Sequence, residues 1–490
     1  MILSELISPC LVKNDWTQIQ HTPIRHITQY IEEVTTDSLF VCINNTKYDG
    51  HDFISEALAQ GARAIIVDHL PQNGVLGPFI VVSDTNKALA QVAAKFYDYP
   101  SRDMVFLGVT GTNGKTTTTF LIHEILRQSD LACGLIGTMY NQIGDQRIAT
   151  PNTTPHTVQL QKLIAQMAQE NMTHCVMEVS SHGLKQERVL GIDFNVAVFT
   201  NLTQDHLDFH DSMTDYFEAK SSLFSRLGNG FSDKVKAAVI NLDDPAAEAI
   251  IALTPSIILT YGCKGQGDIQ ASQIVIATSG TQFTLSLFDQ KWAVSTKMIG
   301  LFNVYNCLAA FGAGVAIGLN PTQVIAIIEG IAGVRGRFES VPNTKGITAI
   351  VDYAHTPDAL INVLKTAKSL TKGKIYCVAG CGGNRDRDKR PKMAEAVLKY
   401  ADHGIFTSDD PRTEDPHQII TDMIEHLSQN HYEIELDRKK AIEKALRMAS
   451  HGDTVLIAGK GHETEQMIGT TAFHFDDREV VNQYFSRLTL

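Results

Sequence analysis

No run of apolar residues in this chain approaches the roughly 18 to 20 needed to span a bilayer. The opening stretch, MILSELISPCLVKND, has no basic segment ahead of a long apolar one. A cytoplasmic protein without stable membrane insertion is expected. Positive charge is also in short supply, because 42 Lys and Arg against 54 Asp and Glu give a formal net charge of −12. General binders of nucleic acid or anionic surfaces neutralise phosphates with an excess of Lys and Arg. No nucleic-acid partner is therefore expected, and any anionic ligand has to meet local clusters of cations. The eight cysteines include no CxxC pair, and the four-residue spacing of Cys377 and Cys381 is a weak metal signal. They read as reduced thiols of a cytosolic enzyme. Low-complexity tracts are missing too, and 43% apolar, 20% charged and 7% aromatic residues are the proportions of an ordinary globular protein.

What is present is length and rhythm. A chain of 490 residues exceeds one hydrophobic core and suggests two to four domains, with three the working number. Over the first hundred residues, short apolar runs (DSLFVCI, ARAIIVDH, PFIVVSD) alternate with helical stretches (DFISEALAQG, ALAQVAAKFYDY), which predicts a small α/β unit. YDYPSRD, 97–103, reads as a linker because Pro100 and its polar neighbours break the preceding helix. From residue 104 onward, buried strands ending in polar loops recur (MVFLGVT, THCVMEVSS, FNVAVFTNLT, KAAVINLDD), the pattern of a parallel sheet covered on both faces. Glycine density rises at GIAGVRGRFES, and a second such series follows (ITAIVDYAH, KIYCVAGCGG, HGIFTSDD, DTVLIAGKG). The predicted fold class is α/β in three domains: a small amino-terminal α/β domain at 1–98, a central P-loop parallel-sheet ATPase domain at 99–333, and a Rossmann-like domain at 334–490. A monomer is expected.

VTGTNGKTTT, 109–118, follows an apolar strand and opens a helix. In such a loop the backbone N–H groups of Gly111, Thr112, Asn113, Gly114 and Thr117 face phosphate oxygens, Lys115 neutralises charge and Thr116 is placed to ligate Mg2+. The strict Walker spacing needs glycine at 109, where Val109 stands, with Gly108 one residue early. A glycine turn capping a helix would not need the adjacent Lys and Thr. Kinase, motor, GTPase-like switch and ATP-driven ligase all remain open at this point. Glu178 and His206 each follow an apolar strand, and a carboxylate with an imidazole beside a nucleotide suits a divalent cation. His206 by itself reads equally as a satisfied structural histidine, Lys220 as a solvated helix lysine, and SDDPRTEDP, 408–416, as a polar turn in which Thr413 caps the next helix.

Eight segments in order, TGTNGKTT, MEVSSHGL, NLTQDHLDFH, YFEAKSSLF, LFNVYNCLAA, GRFE, DYAHTPD and GCGGNRDRDKRPKM, resemble those of the Mur ligases. The likeness is to the branch that adds the third amino acid to UDP-N-acetylmuramoyl-L-alanyl-D-glutamate in peptidoglycan synthesis. The resemblance implies ATP- and Mg2+-dependent amide formation through an acyl phosphate. It implies Lys115, His206 and Lys220 as catalytic groups, the last as a carbamate, and Thr116, Glu178, His206 and carbamylated Lys220 as metal ligands. Asn303, Arg337, Asp352 and His355 match ATP-site positions. Thr153, Thr154, Ser180 and Arg188 match positions that hold the muramoyl dipeptide. Arg385, Asp409, Asp410, Pro411, Arg412, Gly459 and Glu463 match positions around meso-diaminopimelate, with Arg412 on the distal carboxylate that lysine lacks. A guanidinium fork suits that task because it makes two parallel hydrogen bonds to a carboxylate.

Three departures from the family pattern qualify this expectation. Ile31-Glu32-Glu33 stands where an Asp-Ser-Arg triplet usually receives uridine, Asp410 where Asn is usual, and Asn384 where Asp is usual. They leave open L-lysine or another diamine as the added amino acid, and a paralogue with a non-standard acceptor. A folylpolyglutamate-synthetase-like ligase shares the phosphate loop but lacks the DDPR and GKGHE pair. An idle, substrate-binding pseudo-ligase would be expected to have lost Lys115, Glu178, His206 or Lys220, all of which are present.

Overall fold

The computed structural model describes residues 1–44, 48–72, 74–228, 234–427 and 431–487. The chain forms two compact units, one of Met1–Gly108, Asp130–Ala197 and Arg226–Lys236, the other of Val109–Ser129, Val198–Ser225 and Ala237–Leu490. Among the described residues no helix is long and apolar enough to cross a membrane. All eight cysteines are free thiols.

In the first unit His26–Thr28, Ser38–Val41, Ala62–Val67 and Phe79–Val81 pair in that order as a parallel sheet. Successive strand side chains point to opposite faces. Leu39, Val41 and Ile66 therefore join Leu3, Leu6 and Leu89 on one side, while Phe40, Ile65 and Val67 join Ile54, Ala57 and Phe79 on the other. Burial on both faces is why these strands read as unbroken apolar runs. The helix Thr85–Phe96 starts at Asp84, whose carboxylate accepts from the Lys87 N–H. Ile31–Glu33 is a single 3₁₀ turn, held by a 2.7 Å hydrogen bond from the Thr28 hydroxyl to Glu33. Elsewhere in this unit Cys133–Ile136 runs parallel to His174–Glu178 and antiparallel to Asn141–Ile143, which pairs with Gln146–Ile148.

The second unit contains the helix Lys115–Gln128, packed on Leu301–Ala316, and the parallel pair Ala237–Asn241 and Ile257–Gly262. The all-parallel expectation for the central region needs correction here. Ile269–Ala277, Gly280–Leu287 and Gln290–Thr296 form an antiparallel meander at one end of that pair. Gly280–Leu287 alternates buried and more exposed positions, the mark of a sheet with one wetted face, so it gives no continuous apolar run.

The same unit holds a six-stranded sheet. Its order is Glu339–Val341, Thr348–Asp352, Thr454–Ala458, Ile375–Ala379, His403–Phe406 and Tyr432–Ile434, with only the first antiparallel. Because Thr454–Ala458 is inserted between strands earlier in the chain, the order reverses there, and ligands of open α/β sheets sit beyond the strand carboxyl ends at such a reversal. The loops after Asp352, Ala379, Phe406 and Ala458 carry the sequence's candidate motifs. Cores on both faces, built around Leu360, Leu364 and Val397 on one and Ile442, Leu446 and Val481 on the other, hold the sheet rigid beneath those loops.

Candidate functional site

The phosphate loop owes its shape to two glycines. Gly111 (φ +146°) and Gly114 (φ +87°) adopt backbone conformations that L side chains rarely take. A Cβ on Gly111 would lie 1.9 Å from Thr200 Oγ1, and one on Gly114 2.6 Å from Asn306 Oδ1. The segment after Phe194–Phe199 clamps the loop. Thr112 N–H donates to Asn201 O (2.8 Å), Asn113 N–H to Asn201 Oδ1 (2.9 Å), and Thr200 Oγ1 to Asn113 O (2.7 Å). Lys115 Nζ folds back onto the carbonyls of Gly111 (2.9 Å) and Thr112 (2.8 Å), placing its charge inside the loop.

Lys220 is buried and donates to the same Gly111 carbonyl at 2.8 Å. Burial, reinforced by the neighbouring Lys115, holds its pKa well below the usual lysine value. Its ammonium lies 4.5 Å from the Tyr216 ring centre, and the Tyr216 hydroxyl is 3.1 Å from Thr112 Oγ1. His206, whose φ is +56°, packs its ring against the same tyrosine. A non-glycine residue held in this region stores strain, and such strain collects at functional sites. The structure thus gathers Thr112, Lys115, His206 and Lys220 in one place.

Residues from the carboxyl-terminal sheet reach this loop within the same unit. Arg337 Nη2 donates to Thr116 Oγ1 (3.0 Å), and its guanidinium lies over Tyr353 at 4.3 Å. Asn113 Nδ2 donates to Asp358 (3.2 Å). Asp352, the last residue of its strand, accepts from the N–H groups of Phe338 (2.6 Å) and Ala354 (2.7 Å); burial raises its pKa, with Arg337 opposing. His355, pushed down to about 4 by burial and then by Lys389, is a neutral imidazole at neutral pH. Asn303, in Leu301–Ala316, accepts from Asn306, the group Gly114 abuts.

Two groups here escaped the sequence reading. Asp205 and Lys389 are both buried, with an Nζ to Oδ1 distance of 3.6 Å. Burial works against the Asp205 carboxylate, yet His206, Lys389 and His355 outweigh it and hold its pKa below the ordinary value. Both lie inside motifs recognised in the sequence, NLTQDHLDFH and GCGGNRDRDKRPKM, but nothing local marks them as partners.

The acceptor candidates lie in the first unit. Glu178 ends its strand buried, accepting from Thr138 N–H (2.8 Å) and Thr138 Oγ1 (3.0 Å); the latter also lies 3.0 Å from Thr153 Oγ1. Thr154 Oγ1 donates to Glu178 O (2.9 Å) and accepts from Ser180 N–H and Oγ (both 3.0 Å). Ser180 in turn caps Ser181–Lys185. Arg188 donates to Thr154 O at 2.7 Å, and burial lowers its pKa to about 10. Thr153, Thr154, Ser180 and Arg188 are therefore one connected group. Tyr30, directly before the Ile31–Glu33 turn, meets His156 edge-on at 5.7 Å.

At the carboxyl ends of the six-stranded sheet, SDDPRTEDP is a built structure, and the reading of it as a solvated turn fails. Pro411 and Asp410 are buried. Glu414 is gripped by fully buried Arg390 (3.1 Å), by Arg387 (3.0 Å) and by the Asn384 N–H. Thr413 does not cap the next helix; Asp415 does, accepting from His417 N–H (2.9 Å), while Thr413 Oγ1 donates to Asn384 Oδ1 (2.9 Å). Arg412 takes φ +49° because its backbone is pinned on both sides to a hairpin: its N–H donates to Met467 O (3.1 Å) and its C=O accepts from Gly469 N–H (2.7 Å). Its guanidinium donates to Gly383 O (2.9 Å), lies 3.6 Å from Asp410 Oδ2 and stays partly exposed. Arg385, beside it in the neighbouring loop, is exposed.

The extra carboxylate of Asp410 is already engaged. Its Oδ1 accepts from Lys460 Nζ (2.9 Å) and Met467 N–H (3.1 Å). Lys460, fully buried, also donates to Glu463 (2.9 Å). Asp409 lies 3.8 Å from fully buried Arg438, whose guanidinium is locked on Asp477 at 2.8 and 2.7 Å. A Cβ on Gly459 would lie 2.3 Å from Asp409 Oδ2, so this strand end admits only glycine at φ +119°. Lys460 and Arg438 were missed in sequence. A charged residue inside the apolar run LIAGKGHE was the available signal for the first.

A glycine-bent phosphate loop, a buried lysine beside it and a carboxyl-terminal sheet that contacts the loop define an ATP-dependent ligase architecture. The chain belongs to the Mur ligase family: it matches the family models Mur ligase family, catalytic domain (32–103), Mur ligase middle domain (109–314) and Mur ligase, glutamate ligase domain (336–461). It is similar to the Bacillus cereus protein named UDP-N-acetylmuramoyl-L-alanyl-D-glutamate--2,6-diaminopimelate ligase, at 46% identity over 99% of this chain and 98% of that one. A solved structure of a ligase of the same name covers 100% of this chain and 99% of its own, with 34% identity and a TM-score of 0.69. A MurF ligase from Thermotoga maritima in complex with ADP shares the fold, with 19% identity, coverage of 97% and 99%, and a TM-score of 0.61. The α/β class expected from sequence is observed, and its large parallel-rich sheets are consistent with the three-domain Mur ligase fold.

Proposed function

We propose that this chain is an ATP-dependent, ADP-forming ligase that joins meso-2,6-diaminopimelate to UDP-N-acetylmuramoyl-L-alanyl-D-glutamate during cytoplasmic peptidoglycan synthesis. One observation carries the reading. Arg412, Asp409, Gly459 and Glu463 follow the carboxyl ends of the two parallel strands that flank Ile375–Ala379, in the same compact unit as the phosphate loop that Arg337 touches. The functional division at 1–98, 99–333 and 334–490 belongs to the same reading, as does action as a monomer.

The acceptor's glutamate carboxylate attacks the γ-phosphorus, its bond to the β–γ bridging oxygen breaks, and ADP leaves. The amine of the incoming amino acid then attacks the acyl carbon and expels phosphate. Neither step needs a side-chain nucleophile; both need charge spread over phosphoryl oxygens to be met by fixed cations. Lys115 and Arg337 do this, helped by loop N–H groups other than those of Thr112 and Asn113, which the structure ties to Asn201 and not to a phosphate, contrary to the expectation from sequence. Asn303, Asp352 and His355 complete the nucleotide site, with the Arg337–Thr116 contact keeping water from the acyl phosphate.

The residues beside the phosphate loop fit a divalent cation: Thr116 offers a hydroxyl, and His206 an imidazole held against Tyr216. Thr116, His206 and Lys220 as its carbamate, all in the second unit, would hold Mg2+, which when bound neutralises phosphate oxygens. The depressed pKa of Lys220 supports the carbamate, because the neutral amine attacks CO2, forming an N–C bond and releasing one proton. Thr153, Thr154, Ser180 and Arg188 receive the muramoyl dipeptide. Arg412 receives the distal carboxylate of diaminopimelate, Arg385 a carboxylate and Glu463 the distal ammonium.

The test is phosphate release from ATP with UDP-N-acetylmuramoyl-L-alanyl-D-glutamate and either diaminopimelate, L-lysine or no amino acid. Release that depends on diaminopimelate supports the reading. Equal release with L-lysine moves it to the broader diamine ligase. No release with any of the three removes the standard acceptor and points to the Ile31–Glu33 turn.

A further inference from the structure

The turn DGHDF serves none of the roles above, yet its histidine is built into a specific cluster. Asp49 caps the 3₁₀ turn Gly50–Phe53, accepting from His51 N–H (2.9 Å) and lying 2.7 Å from His51 Nδ1. Gly50 is pressed onto the end of the sheet, where a Cβ would lie 2.7 Å from Ile43 N and 2.8 Å from Cys42 Cα. The histidine is therefore fixed in position and orientation, with its side chain nine-tenths buried. A carboxylate on Nδ1 keeps the proton there and leaves the Nε2 lone pair for something else, the arrangement usual for a metal-ligating imidazole.

Among the described residues Nε2 of His51 has no hydrogen-bond partner. It faces Asp68 Oδ1 at 3.2 Å, and that same oxygen is 2.5 Å from Nδ1 of His69. Asp68 and His69 directly follow Ala62–Val67, and the two imidazoles stack at 4.3 Å. The three ligand atoms lie within 4.8 Å of one another. A lone pair facing a carboxylate oxygen is repulsive unless a cation lies between them. Zn–N and Zn–O bonds of about 2.0–2.2 Å place neighbouring ligand atoms roughly 3.0–3.4 Å apart; the 3.2 Å between His51 Nε2 and Asp68 Oδ1 matches this, while the 2.5 Å between Asp68 and His69 is hydrogen-bond length and opens when the ion enters.

We propose that His51 Nε2, Asp68 Oδ1 and His69 Nδ1 bind one divalent transition-metal ion of the Zn2+ class, tying the 48–53 turn to the end of Ala62–Val67. Two imidazoles and one carboxylate select Zn2+, Co2+ or Ni2+ over Mg2+. Asp68 and His69 are half-exposed, so water completes the coordination and the ion exchanges with solvent. Asp49 is the positioning residue. A proton on Nε2, making an imidazolium between two carboxylates, is the competing occupant.

Metal-stripped full-length protein is titrated with Zn2+ by calorimetry in excess Mg2+, beside His69→Ala and Asp68→Asn. These two side chains are partly exposed, and circular dichroism checks that the variants fold. Wild type is expected to bind one equivalent more than either variant, with a loss exceeding the roughly 10- to 100-fold that removal of an outer partner costs. Co2+ should give visible absorption bands in wild type that are absent from His69→Ala. Equal Zn2+ stoichiometry and affinity in all three proteins overturns the proposal and leaves the proton as occupant.

Discussion

Lys220 and Lys460 lie in the same compact unit and are equally buried, at 1% and 0% exposure, yet their surroundings are opposite. Lys220 faces a backbone carbonyl and a second lysine, and burial with that repulsion drives its pKa down. At Lys460 burial also opposes charge, but Asp409, Glu463 and Asp410 outweigh it and raise the pKa. Burial alone thus does not fix the state of a lysine; the sign of its neighbours does. The first environment favours a neutral amine, and the second locks a cation in place as a hub for carboxylates.

Removing the hub should cost most. Lys460→Met leaves buried Asp410 and half-buried Glu463 without their cation, and breaking a buried pair in this way costs roughly 3–5 kcal/mol. Lys220→Met should cost no more than about 1 kcal/mol, because the Gly111 carbonyl keeps its bond from Lys115. Urea denaturation midpoints at constant slope measure both. A larger loss in Lys220→Met would invert the comparison. Activity should show the reverse emphasis on chemistry: Lys220→Ala lowers kcat on the order of 10²–10³-fold, the scale of losing one preorganised charge-stabilising group. A short carboxylic acid added to Lys220→Ala should restore part of it, while Lys220→Arg should stay inactive. Full activity in Lys220→Arg would remove the carbamate from the mechanism.

Arg412 gives a smaller and more selective effect. A charged hydrogen-bond pair is worth about 1.5–3 kcal/mol, so Arg412→Ala should lower kcat/KM for diaminopimelate roughly 10- to 100-fold. With L-lysine, which lacks the distal carboxylate, the same variant should change little. Equal losses for both amino acids would mean that Arg412 serves the loop, through Gly383, Met467 and Gly469, more than the ligand.

The phosphate loop and the strand-end motifs were legible in sequence because local signals specify them: glycine at forced φ, apolar runs of strand length and an abrupt turn to polar residues. Partnerships were not legible. Lys460 meets Asp410 fifty residues away, and Lys389 meets Asp205 across the division between two sequence domains. Such pairs exist only once the sheet order brings strand ends side by side, and propensity carries no information about that order. The meander at 269–296 was missed because its wetted face dilutes the apolar signal, and Thr413 was read as a cap because Asp415, two residues on, competes for the same task with a stronger acceptor. In sequence Asp410 is only a departure from the usual Asn that leaves the added amino acid open. In the fold it accepts from Lys460, so its substitution for Asn alters the hub first.

The smallest effect separates the two lysines by sign. A group whose folded pKa is depressed releases its proton on folding, so stability rises with pH between that depressed value and the ordinary lysine pKa. Lys220 belongs to this class, with its window below the ordinary lysine value of 10.5. Lys460, raised above 10.5, contributes stability that is fully present below that value and lost as pH rises through its folded pKa. Each slope is limited to about 1.4 kcal/mol per pH unit, the value of one proton. Stability measured from pH 7 to 11 for wild type, Lys220→Met and Lys460→Met isolates the two contributions by difference. Lys220→Met should flatten the rise below pH 10.5, and Lys460→Met should flatten the fall above it. Slopes of the same sign in both differences would mean that the neighbours of the two lysines do not set their charge, and the contrast between a reactive amine and a structural cation would fall.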